Sequence, residues 1–472
     1  MPQSAASSVS AAASIMKRKV ITTLAVPLAI KLGERELHKS KLKGPHTVYL
    51  PKARIDMHYY ERSPPASSTP ALVDDPVSPT ILLLHGFSSS AQEFFGLVRQ
   101  FPPHVRILIP EQLGHGEDCK RAVRDGRSDP PPTARQMLET TCEWLDLMLR
   151  REDHRGTRVV VNALGTSFGG VLLYYLKWKR PESIHKTVLV SPAIVACLAG
   201  GFLTGLIAEQ HRFVDFQTRK DVVQLFRNFL WIPHKRRMLI NDDDGSGVDD
   251  GTNITSTKKK KRIQRKRKMK KDPIPKFIYD ILFELDQRNV PRGHNKGLQD
   301  NLIRTTGIRM MTKQRCEDSE QDHDTGTESA IDTKKDDDDD IFLVTTDLDS
   351  TSPRLVVWPE EDQICNYTKG MQFFQSSVET GNTRFVTIPN CGHVFNNEGK
   401  AIYDLILPTV RPFLLDFTAT PPPPTTTTAS TTTKNGDNHD VVIPVVADDA
   451  YNCILNKSRP VEGRDGGLIV HC

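Results

Sequence analysis

Gly165-Thr166-Ser167-Phe168-Gly169 sets one serine between two glycines, and no other stretch constrains the fold as strongly. It directly follows an apolar run, Val159-Val160-Val161-Asn162-Ala163-Leu164, which reads as a buried strand. It directly precedes a helix-like segment from Gly170 to Lys177. A strand that turns sharply into a helix brings backbone against backbone, and glycine tolerates both the close approach and the unusual dihedrals. In that setting the serine Oγ is lifted clear of the sheet edge, which makes Ser167 a candidate nucleophile.

A serine hydroxyl is a poor nucleophile at neutral pH, so it needs a base, and the base needs an orienting acid. Thr383-Arg384-Phe385-Val386-Thr387-Ile388 reads as a short buried strand, and Pro389-Asn390-Cys391-Gly392-His393 follows it. His393 then lies on a loop just past a strand's carboxyl end and is the candidate base. Arg354-Leu355-Val356-Val357-Trp358 is another short strand, running into Pro359-Glu360-Glu361-Asp362-Gln363. Asp362 is the candidate acid. Its rivals are Glu360, Glu361 and the upstream Asp347, and His115 is the rival to His393. A further apolar strand, Ile81-Leu82-Leu83-Leu84, ends in His85-Gly86-Phe87.

Taken together these stretches resemble the α/β-hydrolase superfamily. The closer likeness is to its lipid-ester branch, notably membrane-associated monoacylglycerol lipases. The resemblance is carried by ILLLHGFSSS at 81–90, GTSFGG at 165–170, LVVWPEEDQI at 355–364 and NCGHV at 390–394. DPIPKFIYDIL at 272–282 is similar to a lid segment of those lipases. The likeness covers residues 46–240 and 272–417. It implies a triad in the chain order Ser167, Asp362, His393, and an oxyanion hole formed by the Phe87 and Phe168 amides. It also implies a helical lid inserted into the core and a lipid ester as substrate. Two departures stand out. Pro359 occupies a position where the family has Gly, and Glu111-Gln112-Leu113-Gly114-His115-Gly116 replaces a D-x-x-G-H-G pattern. Other readings of the same residues are a carboxylesterase or thioesterase for non-glyceride substrates, and a hydrolase-fold scaffold without turnover.

Strands are expected at 46–50, 55–60, 80–84, 105–109, 158–164 and 187–191. Helices fall between them, most clearly from Thr133 to Arg150, where Met137, Thr141, Trp144, Leu145 and Met148 recur at helical spacing. Such alternation implies an α/β fold with a mostly parallel sheet covered on both faces, binding ligands at the carboxyl ends of its strands. Residues 46–192 form the first part of the core and 344–417 the second. Between them, 193–343 is the lid insertion, with Ala196–Ala208 and Val222–Ile232 as its expected helices. Two charged loops interrupt it. Residues 242–272 carry eleven Lys or Arg between Lys258 and Lys271, and residues 317–340 end in Asp336–Asp340. Like charges in blocks repel and stay solvated. Attraction of the basic block to anionic lipid headgroups is a sharper reading, and a nuclear import signal is a third. Residues 418–472 begin with Pro421–Pro424 and threonine runs, a low-complexity linker and tail.

Hydrophobic residues make up 38% of the 472 positions, below the globular norm of about 45–50%, and the deficit sits in the inserts and tails. A net charge of +5 is small for this length, and the basic block lacks interleaved aromatics for base stacking, so no nucleic-acid partner is expected. Eight cysteines show no C-x-x-C pair, no His/Cys/Asp cluster has metal spacing, and no Gly-rich phosphate loop is present. Neither a metal nor a cofactor is expected. Residues 1–45 carry Lys17-Arg18-Lys19, then an apolar run from Val20 to Ile30, with no acid before Glu34. The run is shorter than the ~20 residues a bilayer span needs. A targeting segment (secretory or organellar) or a membrane-surface anchor fits it, so the expected location is membrane-associated or organellar.

Overall fold

The computed structural model describes residues 16, 21–65, 77–126, 130–153, 158–202, 216–225, 276–291, 293–305, 347–348, 351–389, 391–393 and 400–417. A helical turn at Ile21–Ala25 runs into α1 (Val26–Ser40), followed by a hairpin of β1 (Lys43–Leu50) and β2 (Ile55–Arg62). β3 (Val77–Leu84) leads through short helical turns at Ala91–Phe94 and Phe95–Val98 to β4 (Arg106–Pro110). Next come α2 (Gly116–Asp125), α3 (Ala134–Asp153), β5 (Arg158–Thr166), α4 (Phe168–Lys179) and β6 (Ile184–Val190). α5 (Arg219–Leu225), α6 (Lys276–Asn289) and α7 (His294–Thr305) lie between β6 and β7 (Arg354–Pro359). α8 (Tyr367–Glu379), β8 (Thr383–Ile388) and α9 (Lys400–Leu415) complete the described chain.

The eight strands form one sheet in the order β1-β2-β4-β3-β5-β6-β7-β8. β1/β2 and β2/β4 are antiparallel, and every other neighbouring pair is parallel. Parallel strands need covering on both faces, which is why their sequences are continuous apolar runs. Successive side chains of those runs go to opposite cores. Leu82, Leu84 and Leu108 pack with Trp144 and the α4 residues Leu172 and Leu173. Ile81, Leu83, Ile107 and Ile109 pack on the other face with Phe94, Val410 and Leu414. The register aligns the strand ends: Leu84 pairs with Gly165, Thr166 with Val190, Val190 with Val357, and Pro359 with Ile388. Consequently the turns after β3, β5, β6, β7 and β8 all leave from one edge.

Asn162 is the one polar residue in the β5 apolar run, and it ties the last helix to the sheet. Its amide donates to the carbonyls of Leu414 (2.8 Å) and Asp416 (3.3 Å), and its oxygen accepts the Lys186 N–H (3.2 Å). The Lys186 ammonium reaches the Asp416 carboxylate. This explains why β6 begins at Ile184, three residues earlier than expected, and accommodates Lys186 in a buried strand. β3 likewise begins at Val77 rather than at 80.

The stretch after β6 also departs from expectation. The helix expected over 196–208 starts late: Val195–Cys197 is a single 3-10 turn, Leu198 bridges antiparallel to Cys365, and helix begins only at Gly200, with everything from 203 to 215 outside the described residues. The Ala199 N–H donates to the Ile364 carbonyl and the Asn366 N–H to that of Cys197, so backbone pairing with the loop after β7 outcompetes helix at this point. Of the expected 222–232 helix, α5 contains the first part, and the remainder lies outside the described residues. So do the charged loops 242–272 and 317–340 and the tail 418–472. Among the described residues no helix is long and apolar enough to cross a membrane.

Replacing Asn162 by Ala removes three hydrogen bonds, two of them buried. It is expected to cost about 2–3 kcal/mol, read as a lower urea midpoint at unchanged slope.

Candidate active site

The turn from β5 into α4 is held in a conformation that side chains avoid. Ser167 has φ 51° and ψ −117°, a region costing about 1–3 kcal/mol for any residue but glycine. The glycines around it have no room for a side chain. A Cβ on Gly165 would run into the Gly169 carbonyl, and one on Gly169 into the carbonyls of Leu84 and His85. The start of α4 is therefore pressed against the end of β3. The Ser167 N–H donates to Val190 (2.8 Å), and its carbonyl accepts the N–H groups of Gly170 (3.0 Å) and Ala193 (3.1 Å).

The three side chains singled out in the sequence meet at this turn. His393 Nε2 lies 2.8 Å from Ser167 Oγ, and His393 Nδ1 lies 2.7 Å from Asp362 Oδ2. A carboxylate oxygen can only accept, so Nδ1 carries the proton and donates to it. Nε2 is left as the acceptor for the serine hydroxyl. Asp362 Oδ1 accepts the N–H groups of Ile364 and Cys365, each at 2.8 Å, so the buried carboxylate has donors on both oxygens. The acid loop is fastened to the base loop by the Glu361 N–H, which donates to the Cys391 carbonyl at 3.2 Å. Pro359 fits because it is the last residue of β7, where pairing ends.

The rivals are placed elsewhere. Asp347 accepts from Arg354 (2.7 Å) and from the Tyr174 hydroxyl (3.0 Å). Glu360 faces solvent. His115 is buried between the rings of His85 and Phe87, with Nδ1 against the Leu113 carbonyl. Burial, with His85 adding to it, pushes the His115 pKa down to about 3. Glu111, which stands in for the family's Asp, accepts the Ala91 N–H at 3.2 Å.

Phe87 follows β3 and Phe168 opens α4, and their rings meet edge to face with centroids 5.8 Å apart. Among the described residues neither backbone N–H is taken up by a turn or loop hydrogen bond. Gly86 lies beside Ser167, where an added Cβ would touch the serine Cβ at 3.5 Å.

One residue of this constellation escapes sequence reasoning. Glu93, in the helical turn after β3, accepts the Gly86 N–H through Oε2 (3.1 Å) and the Thr166 hydroxyl through Oε1 (2.6 Å). It thereby ties together the residues that precede Phe87 and Ser167. No spacing or motif marks it, because its partners are a backbone amide and a threonine 73 positions away.

Among the described residues the only cluster with metal-ligand types is Asp362, Cys365 and His393. It does not suit a metal. His393 Nδ1 is already bonded to Asp362, and the Cys365 thiol donates to the Ser191 carbonyl at 3.5 Å. Burial raises that thiol's pKa well above the usual value, whereas a metal binds thiolate. A groove of about 1060 Å³ lies apart from the triad, lined by charged residues including Arg54, Asp56, Arg121 and Glu143. None of the three side chains lines it.

The family model described as "Alpha/beta hydrolase family" matches residues 81–405. Over 118 residues the chain is 30% identical to 1-acylglycerol-3-phosphate O-acyltransferase of Arabidopsis thaliana, a match covering 25% of each protein. Among solved structures it is similar to a bacterial membrane phospholipase A (14% identity, 87% of this chain and 99% of that one, TM-score 0.44). It is also similar to carboxylesterase CesB of Bacillus subtilis (13% identity, 83% and 99% coverage, TM-score 0.40).

Glu93→Ala unties two loops without touching the triad, so it is expected to slow acylation of Ser167 about tenfold or more in single-turnover measurements. His115 gives a pH signature. Its folded-state pKa lies below the unfolded value of about 6.5, so its contribution to stability is complete above that value and is lost as pH falls toward 3. His115→Phe is expected to lose less stability than wild type between about pH 7 and pH 4.5, measured by urea unfolding.

Proposed function

This chain belongs to the alpha/beta hydrolase family, and from that premise we propose that it is a serine hydrolase of lipid carboxylic esters, monoacylglycerols above all. The observation that carries the reading is the continuous relay from Asp362 through His393 to Ser167, with both links at hydrogen-bond length. Ser167 Oγ attacks the ester carbonyl as its proton passes to His393 Nε2. Asp362 steadies the resulting imidazolium through Nδ1–H. The negative charge on the carbonyl oxygen is received by the Phe87 and Phe168 amides, a donor of this kind being worth about 3–4 kcal/mol in the transition state. Collapse of the tetrahedral species expels the alcohol, which takes the proton from Nε2. Water, deprotonated by the same imidazole, then cleaves the acyl-enzyme and restores the serine.

The lipid substrate is supported by the resemblance of the 81–90, 165–170, 355–364 and 390–394 stretches to monoacylglycerol lipases. Phe87, half-buried next to Gly86 beside the serine, adds to it as an apolar surface suited to an acyl chain. The match to an acyltransferase over a quarter of its length supports one variation, in which a lysophosphatidate hydroxyl replaces water in the second step. Product analysis separates the two, free fatty acid against a diacylated phospholipid.

Ser167→Ala is expected to abolish both turnover of monoacylglycerol and labelling by a fluorophosphonate probe. Asp362→Asn leaves the imidazole in the wrong tautomer and is expected to lower kcat by about 10⁴. Hydrolysis rates for monoacyl, diacyl and short water-soluble esters test the substrate class. Preference for the short esters would replace the lipase reading with a carboxylesterase one.

A further inference from the structure

Five of the nine large apolar side chains exposed among the described residues fall between Met16 and Leu32. Four of them, Leu24, Leu28, Ile30 and Leu32, lie on the N-terminal helical segment Ile21–Ser40, which is itself docked on the body. α1 buries Val26 completely, packs Leu37 against the core, and is tied by Glu36 to Arg99 at 2.9 Å. The opposite side of the same segment carries Leu24, Leu28 and Leu32, exposed by 64%, 59% and 51%. Residues four apart stand one above another on a helix, so these leucines form a single stripe. Lys31 and Arg35 each follow a stripe leucine by three positions and share its face. Both are exposed, and neither is ion-paired with a described residue.

From this face we infer that the protein docks peripherally on an anionic lipid bilayer, through the Leu24–Leu28–Leu32 stripe with Lys31 and Arg35 at its rim. Charge decides the occupant. Residues 17–41 hold seven Lys or Arg against two Glu, and one of those glutamates is already spent on Arg99 and Lys39. A second copy of the chain would bring Lys31 and Arg35 against themselves. An anionic headgroup layer matches them instead, while the leucines enter the boundary with the acyl chains. The stripe is too short to span and the helix too tightly docked to insert endwise, so the contact lies in the plane of the interface. The Ile21–Ala25 turn packs on α6, which places the docking face next to a helix of the insertion between β6 and β7. The inference does not depend on Ser167 turning over a lipid.

Flotation of the full chain with phosphatidylcholine vesicles, with and without phosphatidylserine, tests it. Wild type is expected to float with the anionic vesicles and to release at high salt. Combined Leu24→Ser, Leu28→Ser and Leu32→Ser substitution is expected to weaken binding about tenfold or more. Lys31→Gln with Arg35→Gln is expected to erase the preference for anionic over neutral vesicles. A melting temperature within about 2 °C of wild type certifies that each variant is folded. Unchanged flotation of the folded triple-serine variant would overturn the inference, since another segment would then be the anchor. So would a wild-type dimer that the serine variant dissolves, which would make the face a contact between copies. Absence of ester hydrolysis by wild type, with flotation as expected, would count against the catalytic reading and leave this one standing.

Discussion

Everything at the functional edge follows from how closely two pieces of backbone approach each other. The first turn of α4 is pressed against the carbonyls that end β3, and only glycine at 165 and 169 leaves space for it. That approach forces Ser167 into its unfavourable dihedrals. The surrounding hydrogen bonds, to Val190, Gly170 and Ala193, hold it there. Strain of this kind persists only where the neighbourhood over-determines it, and here the neighbourhood is the sheet itself. Parallel register then does the rest. With β6, β7 and β8 paired in turn beyond β5, the loops carrying Asp362 and His393 leave from the same edge as the serine.

The second layer keeps those loops from drifting. Glu93 clamps the turn after β3 to the turn after β5, and the Leu198–Cys365 bridge clamps the chain leaving β6 to the acid loop. Asp362 is thus surrounded by fixed donors before its imidazole partner is counted. A polar constellation buried like this one is tolerable only when every group has its partner. The pairing of backbone amides to Oδ1 leaves Oδ2 free for His393 alone.

Much of this was legible in the sequence, for a definite reason. A nucleophile between glycines, a base and an acid each sit within a few residues of an apolar run, and apolar runs announce strands. Ser167, Asp362 and His393 could therefore be placed without coordinates, and the structure brings those three residues into contact. What stayed illegible has partners distant in the chain. Glu93 bonds to a backbone amide, which has no sequence identity to recognise. Lys186 reads as a break in a strand until Asp416, 230 positions on, receives its ammonium. The stretch from Ala196 looks helical by composition, yet pairing with Ile364 and Asn366 delays the helix to Gly200. At the N-terminus the apolar run from Val20 to Ile30 hides an amphipathic helix that continues to Ser40, because burial of Val26 and exposure of Leu28 depend on a neighbour the sequence does not show.

The central claim is that Ser167 is acylated because His393 takes its proton. Rapid quenching of the protein with an excess of ester, digestion and mass spectrometry of the peptide containing residue 167 reads this directly. The acyl group is expected on Ser167 within the first turnover, and His393→Ala is expected to suppress its appearance by about 10³-fold or more. An acyl group on another residue, or one that forms on Ser167 equally fast without the imidazole, would contradict the account.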